Sequence, residues 1–217
     1  MSKAKTKGKY LSRDSYLDAA LDIIAEVGVE KLSMRKVADK LGVSAMATYK
    51  HFANKEELLM AVLDEFITRS DVLPADDLPW DQWVNELAER MYNALSGETS
   101  WVPLLGSINI GPNALQVTAA FVIKLTSSGF SLEDAIESYL TMIHLVIGAV
   151  SIQSSLQGVE NTPENLSSSL TQDFVDGLSD GNPEVTEVLM RVVSKSQIEV
   201  SLPKLIDSMQ RCLEKTN

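Results

Sequence analysis

The sequence predicts an all-α protein: a small three-helix domain of helix-turn-helix type followed by a larger helical domain. Three observations predict it. Apolar residues recur at three- and four-residue spacing in one segment after another, while no strand-like alternation or internal repeat is present. The breaks between segments carry helix punctuation, with serine before a helix, glycine after it and proline at its first turn. The length, 217 residues, suffices for two hydrophobic cores, one small and one larger.

Residues 1–11 hold Lys3, Lys5, Lys7 and Lys9 among small residues and are too polar to fold alone, so they read as a flexible basic arm. The first helix is predicted over Arg13–Val27, burying Leu17, Ala20, Leu21, Ile24 and Val27. Asp14, Asp18, Asp22 and Glu26 follow one another at four-residue spacing on its other side. Like charges so placed cost a few tenths of a kcal/mol per pair, and a solvated outer face fits them better than a metal site.

Ser33 can cap a short second helix with Val37, Ala38 and Leu41 on one face. Gly42 then supplies a left-handed stop, Val43 plugs the corner, and Ser44 caps a third helix to about His51. A fourth helix starts near Lys55 and buries a wide face through Leu58, Leu59, Val62, Leu63, Phe66 and Ile67. The break at Leu73–Pro79 divides a first domain, 12–70 with the start of the connecting helix, from a second, 71–217. In the second domain a helix is predicted over Trp80–Ser96, then short pieces and bends around a cavity over 97–113, then a helix from Pro112 to about Ser128. Ser131 caps a long helix to about Gln157, with Ile136, Tyr139, Leu140, Ile143, Ile147 and Val150 along it. Asn161–Asn182 reads as irregular. Pro183 and Pro203 are each expected at the start of a helix, the last one packing through Leu205, Ile206, Met209 and Leu213.

A short helix, a glycine-bearing turn and a second short helix form either a plain αα-corner or a helix-turn-helix that reads DNA. Charge separates the two readings. The whole chain carries −11, yet residues 1–55 hold 11 Lys and Arg against 6 Asp and Glu, leaving +5, and residues 56–217 carry −16. A basic end on an acidic body is the asymmetry of a protein that meets phosphates at one end only. The third helix shows Thr48, Tyr49, Lys50 and His51, which suit phosphates and base edges in a major groove. The Lys-bearing arm either lies along the duplex or is a solvated tail.

At these residues the sequence resembles the tetracycline-repressor (TetR) family of bacterial transcription regulators. The resemblance rests on Val27-Gly28, Ser33, Val37-Ala38, Leu41-Gly42-Val43-Ser44, the Tyr49/His51-Phe52 cluster and Asn54-Lys55-Glu56-Glu57-Leu58, within residues 12–67. It continues more weakly at Gly129–Ala135, which is similar to the ligand domain of tetracycline repressors. The resemblance implies phosphate contacts from Ser33, Tyr49, His51 and Lys55, with Ser44 opening the reading helix. Tyr49 and His51 alternatively serve as core edges. It gives base reading to Arg35, Ala45, Met46 and Lys50. Arg35 is the strongest candidate, since a guanidinium grips guanine in bidentate fashion, worth about 1–3 kcal/mol of discrimination. Ala45, Met46 and Ala47 offer no hydrogen bonds, so thymine methyl contacts and DNA shape are expected to count. Thr48 stands where the family usually has an aliphatic residue.

The resemblance also implies a ligand-responsive regulator that binds a palindromic double-stranded operator as a homodimer and is released by a small apolar or amphipathic effector. It makes the fourth helix a lever between pocket and DNA. Met91, Trp101, Phe121, Tyr139 and Met142 are candidate pocket residues, or ordinary core. Tetracycline with magnesium is disfavoured. Ile108, Asn109, Ile110 and Gly111 stand where the tetracycline repressors place a metal-binding His and Thr, and Leu87 and Met91 stand for their drug-contacting Asn and Phe. A dimer is expected because one short helix reads few base pairs, with residues 131–157 and the last helices as the interface.

An enzyme is disfavoured by two histidines, one cysteine and the lack of a nucleophile–base pair, phosphate loop or metal spacing; no cofactor is expected. A helical binding or scaffold protein without operator specificity, and a TetR-type activator that does not respond to tetracycline, are the remaining competitors. Cys212 alone fits a reducing cytoplasm. The basic start has no apolar run after it, and no segment is expected to reach the ~20 apolar residues of a membrane span, Leu140–Ile152 coming nearest.

Overall fold

The chain divides into two compact units, Met1–Arg69 with Pro103–Ala114, and Ser70–Val102 with Leu115–Asn217. The structure is a computed structural model and describes residues 11–105, 111–156, 184, 187, 188, 191 and 195–216. Eight α-helices have their bounds among the described residues: α1 Arg13–Val27, α2 Met34–Leu41, α3 Ala45–Thr48, α4 Lys55–Arg69, α5 Trp80–Gly97, α6 Pro112–Ser127, α7 Leu132–Leu156 and α8 Gln197–Thr216. Short 3-10 segments lie at Val29–Lys31 and Thr99–Leu104, and there is no strand among the described residues. The basic arm expected before Leu11, residues Ile108–Ile110, Asn161–Asn182 and most of the stretch after Pro183 lie outside the described residues.

In the first unit the helix ends follow local capping chemistry. Ser12 and Ser33 each accept the backbone N–H three residues on, at 3.3 and 3.2 Å, and Gly42 ends α2 at φ 69°. Asn54 accepts from the Glu57 N–H at 2.8 Å while Glu57 reaches back to the Ala53 N–H at 2.7 Å, a reciprocal box that opens α4. The core joins Tyr16, Leu17, Ala20, Ile23 and Ile24 of α1 to Val37, Ala38, Phe52, Leu58 and Val62. Val27, expected inside, is 50% exposed; Gly28 at φ 81° turns the chain and sends Val29 into the core instead.

The acidic row of α1 does more than face solvent. Lys40 lies 2.7 Å from Glu26 and 3.4 Å from Asp22, while Arg69 at the end of α4 pairs with Asp18 and Glu65. The Glu26 hydrogen bond, ahead of the other causes, raises the Lys40 pKa. Exposed pairs contribute little singly, but these two cations relieve the like-charge repulsion along α1 and point it at α2 and α4.

A longer-range cap also lies within this unit. Asp64 of α4, one of two buried polar residues among the described residues, accepts from the backbone N–H groups of Asn113 at 2.8 Å and Ala114 at 3.3 Å, and from Asn113 Nδ2 at 2.9 Å. These are the orphan donors at the start of α6. Gly111 makes room for it, since a Cβ there would sit 2.8 Å from the Cβ of Asp64.

In the second unit α5, α7 and α8 pack on one another, with Trp83, Val84, Leu87 and Ala88 of α5 buried. The 70–79 linker is strapped down: Arg90 donates to the carbonyls of Asp71 and Leu73, and Lys124 to that of Asp76. Ser131 caps α7 through the Asp134 N–H at 3.0 Å.

Helix α7 has two apolar faces. Ala135, Met142, Val146, Ala149 and Val150 are buried, whereas Leu132, Ile136 and Leu140 are 60, 44 and 50% exposed. For that reason Leu132–Gln153, with mean hydropathy 1.6, is long and apolar enough to cross a membrane by length and composition, contrary to the sequence expectation. Counting unbroken apolar residues missed it, because its acidic residues gather in the first turns. One of its faces packs on α5 and α8 as a core helix does.

Pro203 lies inside α8 rather than at its start. Ile198 and Leu202, 4 and 2% exposed, anchor the turns before it, and their burial outweighs the missing hydrogen bond.

Candidate nucleic-acid interface

The α2–turn–α3 corner places an uneven set of side chains at the surface. Behind it, Val37, Ala38, Thr48 and Phe52 are buried at 0–1% exposure. In front of it, Met46 is 70% and Tyr49 51% exposed, and Arg35, Ser44, Ala45, Lys50 and Lys55 are exposed too. The side chain of Arg35 is 86% exposed; its ion pair to Asp39, 3.7 Å long and open to water, holds it only weakly. Ser33 lies half-buried and its oxygen is engaged as the α2 cap, leaving its proton to donate.

Two details differ from expectation. Ser44 precedes α3 but makes no side-chain cap. Helix α3 ends at Thr48 and not near His51; the chain continues in tighter turns, with N–H bonds from Lys50 to Ala47 and from His51 to Thr48. Helical direction is kept to Phe52 by these i→i+3 bonds, so Tyr49, Lys50 and His51 still follow the same turn.

His51 is half-buried, its ring 4.4 Å from that of Tyr16, which meets Phe52 edge-on at 6.5 Å. Arg13, named from the sequence only as the start of the first helix, places its guanidinium 4.8 Å from the Phe52 ring centroid. Its signal was present as a cation one turn before a buried Tyr, but the ring that holds it lies 39 residues further along the chain, out of reach of local reading.

In the second unit the candidate pocket residues come only partly together. Phe121 is fully buried and packs 5.3 Å from Tyr139, whose hydroxyl accepts from Thr118 at 2.8 Å. Burial pushes the Tyr139 phenol up, against the Thr118 bond, so it stays neutral. Trp101 and Met142 are fully buried and Met91 half-buried. Trp83, which sequence reasoning passed over, meets Phe121 at 6.2 Å, and its indole N–H is buried without a partner among the described residues. Two open grooves of about 410 and 670 Å³ lie along α5 beside Ile198, Leu202 and Ile206, and neither is lined by any of the five predicted residues. Among the described residues no acidic, His or Cys group is arranged to hold a metal.

Comparison with known proteins decides the family. The sequence pattern of the bacterial regulatory proteins of the tetR family matches residues 17–62, the segment from mid-α1 to mid-α4. Over 164 residues the chain is 30% identical to the class G tetracycline repressor of Vibrio anguillarum, covering 71% of this chain and 74% of that one. The chain belongs to the TetR family. The class A repressor from transposon 1721 of Escherichia coli is 30% identical over 142 residues, 64% of this chain and 66% of its own length, just under two thirds. The fold of apo ActR from Streptomyces coelicolor superposes with TM-score 0.78 at 22% identity, over 96% of this chain and 99% of that one. The tetR pattern thus falls on the corner described above, and TetR proteins are transcription regulators, not enzymes.

One TetR-domain residue departs from good packing. Thr48 is fully buried and its hydroxyl has no partner among the described residues. A buried unsatisfied hydroxyl costs about 1–3 kcal/mol. Thr48→Val therefore raises stability by about 1 kcal/mol, read as a Tm increase of roughly 2–4 °C in a melting curve, and leaves DNA affinity unchanged.

Proposed function

We propose that this chain is a repressor that binds a palindromic operator as a homodimer and leaves it on binding a small apolar or amphipathic effector. The observation that carries the reading is the corner itself: Arg35 on α2 and Met46, Tyr49 and Lys50 in and after α3 are all exposed around the turn, while Val37, Ala38, Thr48 and Phe52 are buried behind it. Arg35 and Lys50 meet base edges, with Ala45 and Met46 against thymine methyls. Ser33, Ser44, Tyr49, His51 and Lys55 position the helix on phosphates.

The relatives at 30% identity are named tetracycline repressors, which supports repression relieved by a small molecule. Leu87 and Met91 in place of their drug-contacting pair argue for a different, less polar effector. Met91, Trp101, Phe121, Tyr139 and Met142 are the walls we assign to it, and Trp83, whose ring meets that of Phe121 at 6.2 Å, adds an indole N–H without a partner among the described residues.

Dimerisation is supported by the exposed outer face of α7. Leu132, Ile136 and Leu140 repeat every four residues, an apolar strip that a second copy of α7 can cover isologously. Two reading heads about 34–36 Å apart then match one turn of DNA. Leu140→Glu puts a charge into that seam. Sedimentation should find it monomeric at concentrations where the parent is a dimer, with operator affinity reduced at least tenfold; an unchanged dimer would move the interface elsewhere.

A further inference from the structure

We infer that Arg13 is a phosphate-binding residue, held ready by Phe52, and that it extends the DNA footprint from the reading corner to the start of α1. The inference rests on the DNA-binding reading above. Arg13 opens α1 and is exposed, and among the described residues it forms no ion pair, unlike Arg35, Lys40 and Arg69. Its guanidinium lies over the Phe52 ring at 4.8 Å, and one turn on, Tyr16 stacks on His51 at 4.4 Å. Two α1 residues thus hold the rings of His51 and Phe52, the two residues that follow the reading turn.

A guanidinium resting on an aromatic ring keeps its N–H edge free for a planar, bidentate contact, and the ring removes part of the entropy cost of presenting it. Residues 1–12 contain no acid that could neutralise it and four lysines that continue the positive charge. The ligand this chemistry fits is a backbone phosphodiester, because the fork is fixed while carrying no base-edge partner beside it.

The test separates a phosphate contact from a purely structural cation–π clasp. Binding of the full chain to a labelled random-sequence duplex and to its palindromic operator is titrated between 50 and 200 mM KCl for the parent, Arg13→Gln and Arg13→Lys. Each lost phosphate contact lowers the slope of log K against log salt by about 0.9, so Arg13→Gln should lose that much per reading head on both duplexes, and Arg13→Lys should keep the parent slope. A structural clasp would change melting temperature but leave the slope alone, so an unchanged slope in Arg13→Gln overturns the inference, as does an equal slope loss in Arg13→Lys. The two readings fail separately. A parent with no palindrome preference but an Arg13-dependent slope sinks the repressor reading and keeps this one.

Discussion

Replacing Asp64 with alanine lowers the stability of the chain by about 2–4 kcal/mol, the largest loss expected from any single polar substitution among the described residues. Its carboxylate accepts three N–H donors in a site only 9% exposed, two of them the first two backbone donors of α6, which opens on a proline without an N–H. Alanine leaves all three without an acceptor in a place water scarcely reaches. Helix caps are worth about 0.5–2 kcal/mol where water can substitute, and this one is reached by less water. For a chain of this length the change is a Tm drop of roughly 5–15 °C. Asp64→Asn should lose less, since it keeps one acceptor but turns an NH2 toward a donor. Gly111→Ala should approach the Asp64→Ala value from the other side of the contact, because its Cβ would displace the carboxylate. A melting curve within 2 °C of the parent for both Asp64→Ala and Gly111→Ala, a margin of roughly 1 kcal/mol, would show that the cap is dispensable.

Removing together the two cations we propose as base readers, Arg35→Ala with Lys50→Ala, is expected to abolish operator preference. A bidentate contact to guanine discriminates by about 1–3 kcal/mol, so the Arg35 change alone should cost roughly 10–100-fold on the operator, once per reading head. Both side chains are exposed and neither supports the core, so the melting temperature should move little. Competition between operator and random duplex measures this directly. An equal fall on both duplexes would reassign Arg35 and Lys50 to phosphates.

How far the sequence carried this account depends on the distance over which each interaction acts. The ends of α1, α2 and α4 were readable because their signals are local: Ser33 three residues before its donor, and Gly42 in a left-handed turn. The Asn54–Glu57 box was equally local and could have been read from its spacing. The cap of α6 could not, since Asp64 lies 49 residues before the N–H it binds and the position next to that helix is a glycine with no side chain to betray a cap. Pro203 misled for a related reason: proline marks a helix start by local preference, and only the burial of Ile198 and Leu202 lets the helix begin six residues earlier.

The reading corner was legible as a motif and less so in detail. Its serines, glycine and buried valine fixed its place, but the early end of α3 and the idle Ser44 depend on packing around Thr48. In α7, periodicity named Ile136 and Leu140 as apolar without telling which of two apolar faces the chain itself covers. The aromatic contact of Trp83 with Phe121 joins two helices and left no mark in either segment alone.

The central claim is a pair of reading heads on one duplex. It is tested most directly by titrating the purified chain onto a labelled palindromic duplex from its own upstream region, and onto the same duplex with one half-site scrambled, at physiological salt. The account predicts two chains per intact palindrome and at least a thousandfold advantage over random DNA, most of it lost with one half-site. One chain per duplex, or equal affinity for intact and scrambled sites, would contradict it.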